Sequence, residues 1–402
     1  MYHALETTLE RRNTVSLEER HRAVRALAGS AVSRVCGERF GRPVQAVVLT
    51  GSLARYEATI LAEGAGWRLV GDADLIVILR ADTPLPAAAE SRELEQGIER
   101  TLAGMGAVCP VSISFTHAGY LRGLRPAIFA YELLCRGDVV WGDRDVLRLI
   151  PAFAASGIPR EDAWRLLANR IVEQLECAAG VPVSPEPLPP EAQRATSKLY
   201  LDMATSLLVF AGRYEPTYAA RLKNLRALAG ERRDGGWPLD LAAFAERVAA
   251  CQEWRFRTEE SNAIDRRLWD DAVNDAARLW QWESERLAYT SPLRRLRGWL
   301  YVVRRQGWQQ SRRQWPRWAR LAMAGSPRDL VYRAATDLFF DLPRLAAGEN
   351  GGDETGMMYG NMERRVRSLP VRRHPAAAAM TWRDAAAEIA WNYHEFVEGT
   401  RA

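Results

Sequence analysis

With 402 residues, 48% of them hydrophobic and 26% charged, the chain has an ordinary soluble composition and material for two or three cores. No stretch approaches the roughly eighteen uninterrupted apolar residues of a membrane span. The start, Met1-Tyr2-His3-Ala4-Leu5-Glu6, lacks a basic segment followed by an apolar one, so neither export nor a span is expected. The net charge of +5 is uneven: eleven arginines stand against the single Asp329 between Ser291 and Arg333, a local +10 that leaves −5 for the rest. That distribution argues against a nucleic-acid groove running over the whole protein.

The five cysteines, Cys36, Cys109, Cys135, Cys177 and Cys251, are odd in number, widely separated and without a Cys-x-x-Cys. Buried thiols in a reducing cytoplasm are the expectation, and neither structural zinc nor a disulfide framework is supported. Lysine occurs only at 198 and 223 among 55 basic residues, a skew that fits a GC-rich genome.

In chain order, Ser16 to about Phe40 has helical periodicity, opened by a capping box of Ser16 with Glu19. Ala46-Val47-Val48-Leu49-Thr50 reads as a buried strand ending in a tight Gly51-Ser52 turn, whose backbone N–H groups and hydroxyl suit phosphate oxygens. Residues 60–71, with three glycines, read as a loop or hairpin near that turn. Twenty residues on from Ser52, Asp72-Ala73-Asp74 runs into the apolar strand Leu75-Ile76-Val77-Ile78-Leu79. Carboxylates at i and i+2 project to one side of a strand, so their oxygens can converge on a divalent cation. A helix over 90–102, a third strand over Val111–Phe115, a helix over 127–135 and a short closing segment, 137–143, follow. After Pro151 the strand signals stop, and helices are expected over 164–175, 191–211, 216–228, 240–253, 264–287 and 382–397. A proline-rich connector at 181–190 and a glycine-rich loop at 347–356 interrupt them.

Strand, Gly-Ser turn and Asp-x-Asp strand together resemble the nucleotidyltransferase superfamily that includes DNA polymerase β, the minimal nucleotidyltransferases and the aminoglycoside nucleotidyltransferases. Gly51-Ser52-Leu53-Ala54-Arg55-Tyr56-Glu57 is similar to that superfamily's Gly-Ser-x-x-Arg-Gly-Glu variant, with Tyr56 where glycine is common. The resemblance covers about residues 1–150 and implies Mg2+ held by Asp72 and Asp74, with Gly51, Ser52 and Arg55 on the triphosphate of a nucleotide. It also implies a third carboxylate on the strand after the intervening helix, where this chain has Ser112 and Ser114. Glu57, Glu132 and His117 are the other candidates for that ligand or for a base. Lys198, in Lys198-Leu199-Tyr200-Leu201-Asp202, resembles the lysine that reaches the triphosphate from a flanking helix in several members.

Four tryptophans, Trp299, Trp308, Trp315 and Trp318, lie among the eleven arginines of 291–333. Leu293, Leu296, Leu300 and Val303 have helical spacing, so a basic amphipathic helix is expected. Such a helix suits an anionic membrane surface, an acidic partner or stacked nucleobases, and the plainer alternative is core on one side and solvated arginine on the other.

The expected architecture is therefore α+β: a small mixed-sheet nucleotidyltransferase domain with flanking helices over 1–150, a helical bundle over 151–290 and a basic helical region over 291–402. The expected function is Mg-dependent transfer of a nucleoside monophosphate, with ATP as default donor, to a small molecule, a protein side chain or an RNA end. The alternative is a catalytically reduced nucleotide-binding module recruited to a membrane or assembly by its basic helix. The expected location is cytoplasmic, or peripheral to a membrane.

Overall fold

The computed structural model describes residues 15–38, 43–64, 66–180, 187–231, 236–257, 264–287, 292–348, 364–373 and 380–397. The 347–356 loop lies outside them from 349 on, and so does the 181–190 connector up to residue 186. The chain divides into two compact units. The first joins Met1–Asp162 to Leu208–Gly230 and Val248–Ser261, and the second joins Ala163–Leu207 to Glu231–Arg247 and Asn262–Ala402.

The first unit is built on a four-stranded mixed sheet in the order β6-β4-β1-β7, with β1 Val44–Thr50, β4 Ala73–Leu79, β6 Val111–His117 and β7 Asp138–Gly142. Strand β1 runs antiparallel to both neighbours, and β4 pairs with β6 in parallel. Helices cover both faces, which is why β1 and β4 are nearly continuous apolar runs rather than alternating ones. On one face Val47, Leu49, Leu75 and Val77 meet Val24, Ala28 and Val32 of α1 (Leu17–Glu38), together with the residues that follow the short turn helix α2 (Gly51–Ala54). Leu94, Ile98 and Leu102 of α3 (Ala88–Gly104) complete that core. On the other, Ala46, Val48, Ile76 and Ile78 meet Leu121 of α4 (Ala118–Arg122) and Leu133 of α5 (Ile128–Arg136).

The expected capping box forms: Ser16 Oγ accepts from the Glu19 N–H at 3.3 Å, and Glu19 accepts from the Ser16 N–H at 3.0 Å. The expected hairpin consists of β2 (Thr59–Glu63) paired antiparallel with β3 (Gly66–Val70), which β5 (Ala107–Val108) extends to a second, three-stranded sheet.

From Arg160 the described chain is helical: α6 Arg160–Gly180, α7 Pro190–Phe210, α8 Tyr218–Gly230, α9 Leu241–Arg255 and α10 Arg266–Glu285. Then come α11 Pro292–Gln306, α12 Trp308–Ala324, α13 Pro327–Phe340, α14 Leu342–Gly348 and α15 Trp382–Phe396. Within the second unit Trp164 stacks on Trp280 with ring centroids 4.6 Å apart, and Trp269 is buried, so tryptophans do anchor the bundle. Thr381 and Asp384 cap α15 reciprocally, as their spacing predicts. Among the described residues no helix is long and apolar enough to cross a membrane. None of the five cysteines forms a disulfide; Cys36, Cys109 and Cys251 are buried as expected, whereas Cys177 is half-buried and Cys135 exposed.

Candidate functional site

The site lies where β1 ends beside the start of β4. Thr50, the last residue of β1, pairs with Asp74 in the antiparallel register. Gly51 then turns the chain with φ +69, a left-handed conformation that glycine tolerates best. A Cβ at Gly51 would collide with Oδ2 of Asp74 and come within 3.1 Å of its Cγ. The missing side chain thus makes room for a carboxylate of the protein itself, so the Asp74 head group lies against the Gly-Ser turn. The N-cap residue Thr50 places no side chain on the first N–H groups of this turn.

Asp72 precedes β4 and is exposed, whereas Asp74 is half-buried. Across the parallel ladder Ser112 stands opposite Asp74, and Ser114 stands opposite Ile76, one side-chain repeat further along the same face. Both serines are exposed. His117 pairs with Leu79, five residues up the strand from the Asp74 row, or about 16 Å at the rise of a strand. Its Nε2 lies 2.7 Å from the Thr83 carbonyl oxygen. His117 is therefore corrected from a candidate base or ligand to a residue of the far strand end, too distant to share a ligand with Asp74.

Arg55, Glu57 and Glu132 come together in a separate, largely buried ion network. Arg55 Nε donates to Glu57 Oε2 at 2.8 Å, and its Nη1 donates to Glu132 Oε2 at 2.6 Å. The Tyr214 hydroxyl donates to Glu132 Oε1 at 2.6 Å, Arg221 Nη2 reaches the same oxygen at 3.5 Å, and the Tyr218 N–H donates to Glu57 Oε1. Burial works against the charge on Arg55, but Glu132, then Tyr218 and Glu57, outweigh it and raise its pKa. Burial and then the Glu132 carboxylate push the Tyr214 phenol well up, so it stays a proton donor. Each of the two carboxylates already accepts from a guanidinium and from a second donor. Arg221, Tyr214 and Tyr218 were not legible as partners, because they lie 82 to 161 residues away from the groups they bond.

Tyr56 occupies a glycine-like position with φ +63, a strained conformation for a bulky residue. The Arg25 guanidinium lies 4.1 Å from its ring centroid while donating to the Ala54 carbonyl at 3.1 Å and to Asp138 Oδ2 at 2.6 Å. One arginine thus clamps the turn from behind and holds the tyrosine that would otherwise disfavour it.

Cys109, buried, is pushed up to about 12, first by burial and further by Asp72, Glu99 and Asp74, so it remains a thiol. Lys198 is half-buried on α7 in the second unit, where Thr196, Ser197, Leu199 and Tyr200 around it are buried.

No family model, curated protein or solved structure matches this chain. The site's chemistry therefore rests on its own donor set. Asp72 and Asp74 offer the hard oxygens that Mg2+ prefers, and an ion held by them would leave room for phosphate and water oxygens. Among the described residues no group of three or more His, Cys, Asp or Glu side chains is placed to hold a metal. A cation on these two carboxylates would need ligand oxygens and water to complete its shell.

Proposed function

We propose that this chain is a Mg-dependent nucleotidyltransferase that moves a nucleoside monophosphate, with ATP as donor, to an acceptor hydroxyl. The observation that carries the reading is the seat of the Asp74 carboxylate in the space left by Gly51, which brings the turn and the acidic pair into one place. The acceptor hydroxyl gives up its proton to water as its oxygen bonds to the α-phosphorus, while the bond from that phosphorus to the bridging oxygen breaks and pyrophosphate leaves. Negative charge gathers on the phosphoryl oxygens, and fixed donors near them lower the barrier. Gly51 and Ser52 supply backbone N–H groups and a hydroxyl toward the triphosphate. Asp72 and Asp74 would hold Mg2+, whose contribution when bound is to neutralise that charge. Arg55 and its buried carboxylate partners keep the turn in shape rather than meeting phosphate directly.

A second reading, a nucleotide-binding module of reduced activity, is favoured by one observation: the residue opposite Asp74 is Ser112, whose hydroxyl is a poor proton acceptor at neutral pH. A pyrophosphate-release assay across a broad acceptor panel separates the two. The enzyme gives turnover that Asp74→Asn lowers at least a hundredfold. The module binds ATP and Mg2+ with no turnover in any combination.

A further inference from the structure

The basic stretch folds into α11 and α12, neighbouring helices that share an inner core with α13 and α15. Trp299, Val302 and Trp318 are buried there with Leu330 and Phe396. Trp299 Nε1 donates to the Gly325 carbonyl at 3.1 Å and Trp318 Nε1 to the Pro370 carbonyl at 2.8 Å, so the inward tryptophans are spent on the fold.

Each helix carries a second apolar stripe on its outward side. On α11 it is Leu296 and Leu300, 57% and 58% exposed at i and i+4. On α12 it is Trp315 and Met323, 57% and 76% exposed two turns apart, with exposed Ala319 between them. An apolar groove of about 320 Å³ runs between the stripes, floored by Trp299 and Trp318. The two helices hold nine arginines and no carboxylate. Arg305 is taken by Glu395 at 2.8 Å, while Arg297, Arg304, Arg312, Arg313 and Arg320 stand exposed around the stripes.

We infer that the outward face of α11 and α12 is an interfacial docking surface for a bilayer containing anionic lipid. At 15 and 17 residues these helices are too short and too basic to span, so their geometry suits lying in the headgroup plane with the stripes pressed toward the acyl chains. Charge complementarity decides the occupant. Arginines scattered on both helices, with no acid among them to set a register, are satisfied wherever they fall by a fluid layer of anionic headgroups. A folded acidic partner would need carboxylates at matching positions. Arginine stems also extend the apolar surface while their heads reach the phosphates. This surface is independent of the nucleotide site, and its test involves no nucleotide.

The test is flotation of the full chain with phosphatidylcholine vesicles, with and without about one-third phosphatidylglycerol. The chain is expected to float with the anionic vesicles and to stay behind with phosphatidylcholine alone. Replacing Arg297, Arg304, Arg312 and Arg313 by Gln should weaken partitioning by at least tenfold, since each basic side chain near such a surface contributes about fivefold. Leu296→Glu combined with Trp315→Glu should abolish it while circular dichroism and the melting temperature stay unchanged, because both side chains are exposed. Three results would overturn the inference: no flotation, flotation indifferent to lipid charge, or flotation retained by the Leu296→Glu/Trp315→Glu variant. So would a sedimentation shift from dimer to monomer in that variant with lipid binding intact, which would assign the face to a second copy of the chain.

Discussion

At the scale of single residues, Gly51 shows how a motif position can be legible while its reason is not. Its place after an apolar strand announces a tight turn, and the expected reason is close approach of phosphate to backbone. The structure adds a nearer reason: the Asp74 carboxylate occupies the Cβ position. Gly51→Ala should therefore cost roughly 2 kcal/mol or more through the left-handed backbone and the displaced carboxylate, and should weaken nucleotide binding along with it. Thermal melting and a nucleotide titration on the same sample check both halves. Tyr56 carries the opposite lesson. Its departure from glycine is visible in the sequence, but the Arg25 stacking that offsets its positive φ joins residues 31 apart and leaves no local trace.

At the scale of elements, β1 and β4 of the first sheet were readable because both of their faces are buried, so Ala46–Leu49 and Leu75–Leu79 are continuous apolar runs. Caps at Ser16 and Thr381 were readable because their reciprocal bonds span three residues. The division of 291–333 into three helices falls at Gly307, with φ +74, and at the Ser326-Pro327-Arg328-Asp329 capping box, both of them residue types that mark helix ends. The buried network was not readable, since Arg55 meets Glu132 across 77 residues. It yields a discriminating prediction. Glu132→Ala leaves the Arg55 and Arg221 guanidiniums without their shared carboxylate and should cost roughly 3 to 5 kcal/mol. A melting temperature lowered by several degrees is the expected result; unchanged stability with lost turnover would instead make Glu132 the catalytic base.

At the scale of the whole molecule, the second unit contains a carboxylate that ties stability to pH. Glu283 is fully buried and accepts from Ser206 Oγ at 2.6 Å. Burial pushes it from an ordinary 4.5 up to about 8, with the Ser206 hydroxyl pulling part of the way back. A folded value above the unfolded one means that the folded chain holds the extra proton between these limits. The contribution is therefore complete below about pH 4.5 and is lost as pH rises through about 8. Its full size is roughly 5 kcal/mol. Melting of the chain from pH 5 to 9 should show a falling trend that Glu283→Gln flattens.

The central claim, that Asp72 and Asp74 hold a cation against a triphosphate on the Gly51 turn, is tested most directly by isothermal titration calorimetry of the full chain with ATP and Mg2+. Binding heat at one site is expected, lost without Mg2+ and lost in the Asp72→Asn/Asp74→Asn variant. No heat with ATP, GTP, CTP or UTP, or heat undiminished in that variant, would contradict it.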